Sequence, residues 1–535
     1  MHDENKPFLV ETREGFSVQY KQKFLYSKYS PKKNILNIIN NLHILPDTLI
    51  LCFSPVLDYG LQELSEKLPS NCLMLACEKE PELFELSKQN LTQSDCYKNG
   101  LLHIINIAEL SDLPLNITKY GFFKRAISID FSAGVSFYPD FYNELFCKTR
   151  DAIAQWWKNR ITLVKFGRKY STNLIKNLPQ ISKSYELPKI DNPILIVGAG
   201  ESSLQILKEI KHKQLESKIT IICVDASLQM LSDLNIKCDF AICEEAQSVI
   251  ARAFTGTQDI YDTLLLSATS TPSVSHIKNK KSIFYTSVYT DANFLNDLIE
   301  NKILESPLPP LGSVGLIAVK LACMIREDEN VPVYVTGLDF SFSRGFTHAT
   351  GSFHDRQRRS SSTKINSFTA FNACFNYNAS SFIDKNAHLM YTTQNLSMYA
   401  ELFKYVFYNF PNLYCLSKEG YDLNLQMSSL DDIKFNEKKS EASESKTDKS
   451  EKIKNYIKFQ IEALTTLKKL FTEKTESSKE ELNQKIYDLL NKMEYLYLHF
   501  PDGYKISLNQ DFLNRVRVEI DYFLNLFQQS LNRLN

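Results

Sequence analysis

The chain has 535 residues, with 62 Lys and Arg balanced by 62 Asp and Glu, and 43 % of it is apolar. That supply of apolar side chains excludes a disordered or fibrous chain and is enough for a sizeable core. Zero formal net charge argues against a nucleic-acid partner, which calls for a basic excess, and the length alone predicts about three or four domains.

The eleven cysteines are scattered without a C-x-x-C pair. Several, such as Cys52, Cys77 and Cys223, fall in apolar runs where a thiol behaves as a small hydrophobe. The pattern fits a reducing compartment and gives no zinc signature. The N-terminus, Met1-His2-Asp3-Glu4-Asn5-Lys6, is polar, and no apolar run reaches the roughly 18 residues of a spanning helix. We expect a soluble, cytoplasmic protein with no membrane span.

Taken in order, Thr48 to Phe53 reads as a short buried strand, Ser54 to Gly60 breaks it, and Leu61, Leu64 and Leu68 recur at helical spacing. Cys72 to Cys77 is a second apolar run, and Ala126 to Ile129 a third that ends at Asp130. Short, fully apolar strands alternating with helices predict a parallel sheet. Residues 1–185 are therefore expected to form a Rossmann-like domain with an N-terminal arm.

A second α/β domain is expected over 186–436. Its strands are Ile194 to Val197, Thr220 to Val224, Phe240 to Cys243, Thr263 to Leu266 and Val331 to Val335. In such doubly wound sheets ligands sit outside the carboxyl ends of the strands. Residues 437–452 hold ten charged side chains and no large apolar one, which predicts a flexible linker. From 453 to 535 the pattern is helical. Three stripes run through Ile453, Ile457, Ile461, Leu464, Leu467 and Phe471, then Leu482, Ile486, Leu489, Met493 and Leu496, then Leu513, Val516, Ile520, Phe523, Phe527, Leu531 and Leu534. A packed helical domain is the expected result.

The strongest chemical signal is Gly198-Ala199-Gly200-Glu201-Ser202-Ser203, between a strand and a helix. Glycines let a backbone approach a phosphate, and a helix N-terminus offers free N–H groups. A dinucleotide fingerprint has a third glycine where Ser203 stands, so the signal is generic for a nucleotide phosphate. A tight strand–helix turn would select the same glycines. Asp225, closing the next strand, is placed to accept from a ribose, or to act as a turn or cap residue beside Ser227. Gly312-Ser313-Val314-Gly315 opens a second helix in the same domain.

Residues 337–359 form a Gly/Ser/Arg-rich loop that follows a strand and includes Asp339, His348 and His354. A histidine there can take a proton from an acceptor hydroxyl, and the arginines at 344, 356, 358 and 359 can hold phosphate or carboxylate. A metal site is the poorer reading, because the two histidines have no evident third ligand.

These motifs together carry a resemblance. Gly198-Ala199-Gly200-x-Ser202, Val224-Asp225-Ala226-Ser227, Cys238-Asp239-Phe240, Gly312-Ser313-Val314, Thr336-Gly337-Leu338-Asp339 and Thr347-His348-Ala349-x-Gly351-Ser352 resemble the DUF115 domain. This is the domain of motility-accessory-factor (Maf-type) flagellin glycosyltransferases, also labelled 6-hydroxymethylpterin diphosphokinase MptE-like. Tyr26-Ser27-Lys28-Tyr29-Ser30-Pro31 extends the likeness toward the N-terminus, so that it covers roughly residues 8–430.

The resemblance implies two Rossmann-like domains, the central one sialyltransferase-like, followed by a helical C-terminal domain. It implies transfer of a nonulosonic acid of the pseudaminic or legionaminic type from a CMP-sugar to Ser/Thr of flagellin, with no tightly bound cofactor. By position, Gly198, Gly200 and Ser202 would hold the nucleotide phosphate, and Asp225 and Ser227 would face the nucleotide. Gly312, Ser313 and Arg344 join the expected nucleotide-binding set. Asp339 and His348 would lie at the transfer site. Glu201 stands where the family has Pro, and Glu244 alone represents the family's Asp near Phe240. The first domain's turn, Ser54 to Gly60, lacks the glycine pattern of a cofactor loop. Two alternatives stand beside the transferase: a hydroxymethylpterin diphosphokinase, and a non-catalytic flagellin-binding factor.

Overall fold

The computed structural model describes residues 6–278, 280–365, 379–435, 445–446, 448–472 and 478–534. The chain divides into two compact units, Met1–Thr162 and Leu163–Asn535. The first boundary lies inside the helix Pro139–Ile181, not at residue 185, and none separates the helical tail from the central region.

The first unit opens on an antiparallel meander of β1 (Phe8–Thr12), β2 (Gly15–Tyr20) and β3 (Lys23–Phe24). A parallel sheet follows, from β4 (Thr48–Phe53), β5 (Leu73–Cys77), β6 (Leu102–Ile105) and β7 (Arg125–Asp130), in the order β6-β5-β4-β7. Alternation explains its two cores. Ile50, Cys52, Met74 and Ala76 pack on one face, and Leu49, Leu51, Phe53, Leu75 and Cys77 on the other.

The second unit is built on eight strands. They are β8 (Ile194–Val197), β9 (Thr220–Val224), β10 (Cys238–Cys243), β11 (Tyr261–Ser267), β12 (Lys281–Tyr285), β13 (Val333–Thr336), β16 (Leu413–Cys415) and β17 (Gln426–Met427). A separate hairpin pairs β14 (Ser380–Ile383) with β15 (Leu389–Thr392). The large sheet has the order β12-β11-β10-β9-β8-β13-β16-β17, and every pairing in it is parallel. The strand order therefore reverses between β8 and β13, which fixes where a crevice opens at the carboxyl ends.

One face of this sheet, through Ile194, Ile196, Ile222, Ile242 and Val335, packs on the helices Val314–Ile325 and Gln394–Val406. The other face, through Leu195, Val197, Cys223 and Leu264, shares one core with Leu207 and Ile210 and with the tail residues Ile453, Ile457, Leu464, Phe523 and Phe527. The tail helices Ser450–Thr472, Lys479–Leu490 and Gln510–Leu534 are thus part of the central fold. Met493 and Leu496 of the second stripe lie beyond its helix but are still buried, and in the third Phe512 is fully buried while Leu513 packs partly buried against the same core.

Most of the expected charged linker, 437–444 and 447, lies outside the described residues. Its described part is anchored: Glu186 N–H donates to Ser445 O, Lys449 N–H donates to Ser182 O, and a helix begins at Ser450. These ties correct the expectation of a free linker up to 452.

Candidate functional site

A cavity of about 1230 Å³ opens at the β8/β13 reversal. It runs along the carboxyl ends of β8 to β13 and is lined by Gly198, Gly200, Asp225, Glu244, Gly312, Ser313, Asp339 and His348. Eight of the eleven residues expected at the site thus share one wall, although they span 151 positions of sequence. Ser202, Ser227 and Arg344 do not line it.

The glycines are explained first by backbone packing. A Cβ on Gly198 would collide with Gly337 O, and one on Gly337, where φ is 70°, would lie 2.5 Å from Gly198 O. A Cβ on Gly200 would collide with the Asp339 carboxylate and lie 2.7 Å from Gly337 O. The loops after β8 and β13 therefore touch main chain to main chain, which only glycine permits.

Hydrogen bonds close this clasp. Gly198 N–H donates to Thr336 O (2.8 Å), and Gly200 N–H donates to Gly337 O (2.9 Å). Ser202 N–H donates to Asp339 Oδ2 (3.0 Å), and its hydroxyl donates to Asp339 Oδ1. Further along, Ala349 N–H donates to Ala199 O (2.8 Å), which pins the His348 loop beside the glycine turn. Glu201 points away from the glycines and accepts from Ser343 N–H and Oγ at 2.9 and 2.6 Å. Its carboxylate, which replaces the family's Pro, is another pin of the clasp.

The donors of the expected phosphate site have partners within the chain. The N-terminus of the helix Ser202–His212 already faces a carboxylate of the chain itself, and the N–H groups of Gly198, Gly200 and Ser202 are engaged. Ser202 holds Asp339 through both its N–H and its hydroxyl. Ser227 is fully buried, and its hydroxyl donates to Val197 O at 3.3 Å, so it holds the β9 turn to β8. Arg344 is exposed and outside the cavity wall.

The other arginines are also accounted for. Arg356 pairs with Asp233, while Arg358 and Arg359 share the buried Asp355 at 3.1 and 2.8 Å. Only Arg358 of the four reaches the cavity. There it joins His348 and His354, whose rings lie 4.5 Å apart.

Burial sets the electrostatics. Asp339 is 4 % exposed, and its pKa is pushed up to about 6 by burial against the opposing pull of Ser202. Burial likewise pushes Asp225 and Glu244 up to about 7. Asp225 accepts from Ala226 N–H at 2.7 Å, and Glu244 accepts from the Tyr285 hydroxyl at 2.7 Å. His348 is driven down to about 3 by burial first, then by His354 and Arg358, so its imidazole is neutral.

Sequence reasoning missed Glu245, Ser287, Tyr289, Ser341 and Tyr170, which also line the cavity. Glu245, beside Glu244 at the end of β10, was visible in principle. Ser341 and the tyrosines carry no local pattern.

Comparison with known proteins agrees with this architecture. Residues 172–345 match the family model described as 6-hydroxymethylpterin diphosphokinase MptE-like. The matched segment holds β8 to β13 and most of the clasp. An uncharacterized protein of Treponema pallidum (strain Nichols) is 29 % identical over 564 residues, covering 98 % of this chain and 95 % of that one. The solved structure of a Maf glycosyltransferase from Magnetospirillum magneticum AMB-1 is similar in fold. It has a TM-score of 0.60 at 13 % identity, over 99 % of this chain and 92 % of that one. Among the described residues no helix is long and apolar enough to cross a membrane.

Proposed function

We propose that this chain is a glycosyltransferase that moves a nonulosonic acid from a CMP-sugar to Ser/Thr of flagellin in the cytoplasm. The observation that carries the reading is the cavity itself. It sits at the sheet reversal of an MptE-like domain, is large enough for a sugar nucleotide, and is lined by Asp339 and His348. A sugar nucleotide brings its own leaving group, so the protein must hold the phosphate, orient an acceptor hydroxyl and accept its proton.

In this reading His348 is the base. Burial first, then His354 and Arg358, hold its imidazole neutral but weakly basic. An anionic donor beside it raises that basicity, which ties proton acceptance to an occupied site. Asp339, held by Ser202, keeps the loop in place and adds negative charge near the transfer point.

The test is the intact mass of flagellin from cells carrying the wild-type chain, no chain, or His348→Ala. The expected outcome is full modification, none, and a rate lowered about 100-fold or more with the protein still folded. Full modification without the chain overturns the proposal. The description of the matched family favours a second reading, diphosphoryl transfer to a hydroxymethylpterin. Magnesium-dependent ATP turnover on that pterin would select it.

A further inference from the structure

Two of the helices that start beside the cavity differ at their first turns. The helix Ser202–His212 meets the Asp339 carboxylate. The helix Val314–Ile325 has Ser313 at its N-cap with no side-chain cap hydrogen bond. Its first-turn N–H groups have no intrahelical acceptor, and Gly312 to Gly315 line the cavity.

A second observation is independent of that helix. Ser341 is 7 % exposed, lines the same cavity, and its hydroxyl has no hydrogen-bond partner among the described residues. A buried hydroxyl without a partner is costly, and the surrounding backbone holds it there. Thr392 Oγ1 donates to Phe340 O at 2.9 Å, and Phe342 exchanges two backbone hydrogen bonds with Tyr391 at 2.8 and 2.9 Å. Both neighbours of Ser341 are thus fixed to β15. Phe340 itself sits at φ 44°, a conformation that a bulky residue rarely adopts. Leu338, three residues before Ser341, lies against position 315: a Cβ on Gly315 would be 2.6 Å from Leu338 Cδ2. That contact brings the β13 loop to the first turn of the helix.

We infer that the first turn of Val314–Ile325 and the hydroxyl of Ser341 form the phosphate subsite of this cavity. The N–H groups and the positive end of the helix hold the anionic oxygens, and Ser341 donates one further hydrogen bond. The inference rests on the sugar-nucleotide reading for its ligand, and it moves the phosphate away from the glycine turn after β8.

Isothermal titration of the full chain with CMP, cytidine and inorganic pyrophosphate tests it. Ser341→Ala should weaken CMP about tenfold, the scale of a hydrogen bond to a charged group, and leave cytidine unchanged. Val314→Pro is the second variant. Proline is accepted at the first helical position, Ser313 is already extended (φ −135°, ψ 134°) as the residue before proline must be, and one donor is removed. It should weaken CMP by a similar factor. Unchanged CMP affinity in both variants, or an equal loss for cytidine, overturns the subsite. Binding of pyrophosphate without CMP, lost in both variants, keeps the subsite and removes the CMP reading. No binding of any probe by the wild type overturns both.

Discussion

The two parallel sheets reverse their strand order in the same way, between β4 and β7 and between β8 and β13, yet the two reversals are filled differently. At the second, Gly198, Gly200 and Gly337 bring backbone against backbone and leave a cavity beside them. At the first, Ser54 follows β4 at φ 50°, and its hydroxyl donates to the buried Glu78 carboxylate at 2.5 Å. The Tyr142 hydroxyl donates to the other oxygen of Glu78 at 3.1 Å, and Ser132 Oγ donates to Ser54 Oγ at 3.0 Å. Side chains occupy the place where a ligand would sit. Topology supplies the position of a crevice, and residue size at the turn decides whether it is open.

That contrast can be broken at three points. The largest effect is expected for Gly337→Ala, which places a methyl at positive φ against Gly198 O. Urea denaturation should show a loss of about 3 kcal/mol. The corresponding change at Gly134, which has no positive φ, meets side-chain atoms of Ser54 and Ser132 rather than main chain, so an equal loss there would remove the distinction. Next, Glu78→Ala leaves the Ser54 and Tyr142 hydroxyls and the Glu80 N–H without their shared acceptor, at a cost of about 2 kcal/mol. CMP affinity should not change, and a weaker CMP complex would assign the first reversal a part in ligand binding.

The smallest effect is a pH slope. Burial raises Glu244 to about 7, so the folded chain keeps this proton after the unfolded chain has lost it. The Glu244 contribution to stability therefore falls as pH rises from about 4.3 through 7. Glu244→Gln should melt about 2 °C higher than wild type at pH 8 by calorimetry, with the gain vanishing near pH 4. A constant difference across that range would place Glu244 in a solvated setting.

How much of this was legible depended on burial. Strands such as β4 and β8, in which every residue is buried, announce themselves as apolar runs. β12 begins with Lys281-Ser282, β16 has three residues, and the 43-residue helix Pro139–Ile181 averages slightly polar along its length, so none stood out. The meander β1–β3 was hidden because its first strand is only half-buried on alternate residues. At the site, residue types pointed to loops that share one cavity: Asp339, His348 and the glycines converge. Their roles did not follow, because the partner that engages Ser202 is 137 positions away and the partner of Glu201 is 142 away. Charge misled in one respect. The four arginines between 344 and 359 suggested a basic loop for an anion, but Asp233 and Asp355 engage three of them.

The clasp between the two loops also has a thermodynamic side. The segment that carries Asp339 and His348 is tied to the turn after β8 at Gly198, Ala199, Gly200, Glu201 and Ser202. The entropy of fixing this loop is lost when the chain folds, so a ligand arriving later does not have to order it. Binding should therefore proceed with little backbone movement at this wall of the cavity, like capture by a pre-organised receptor.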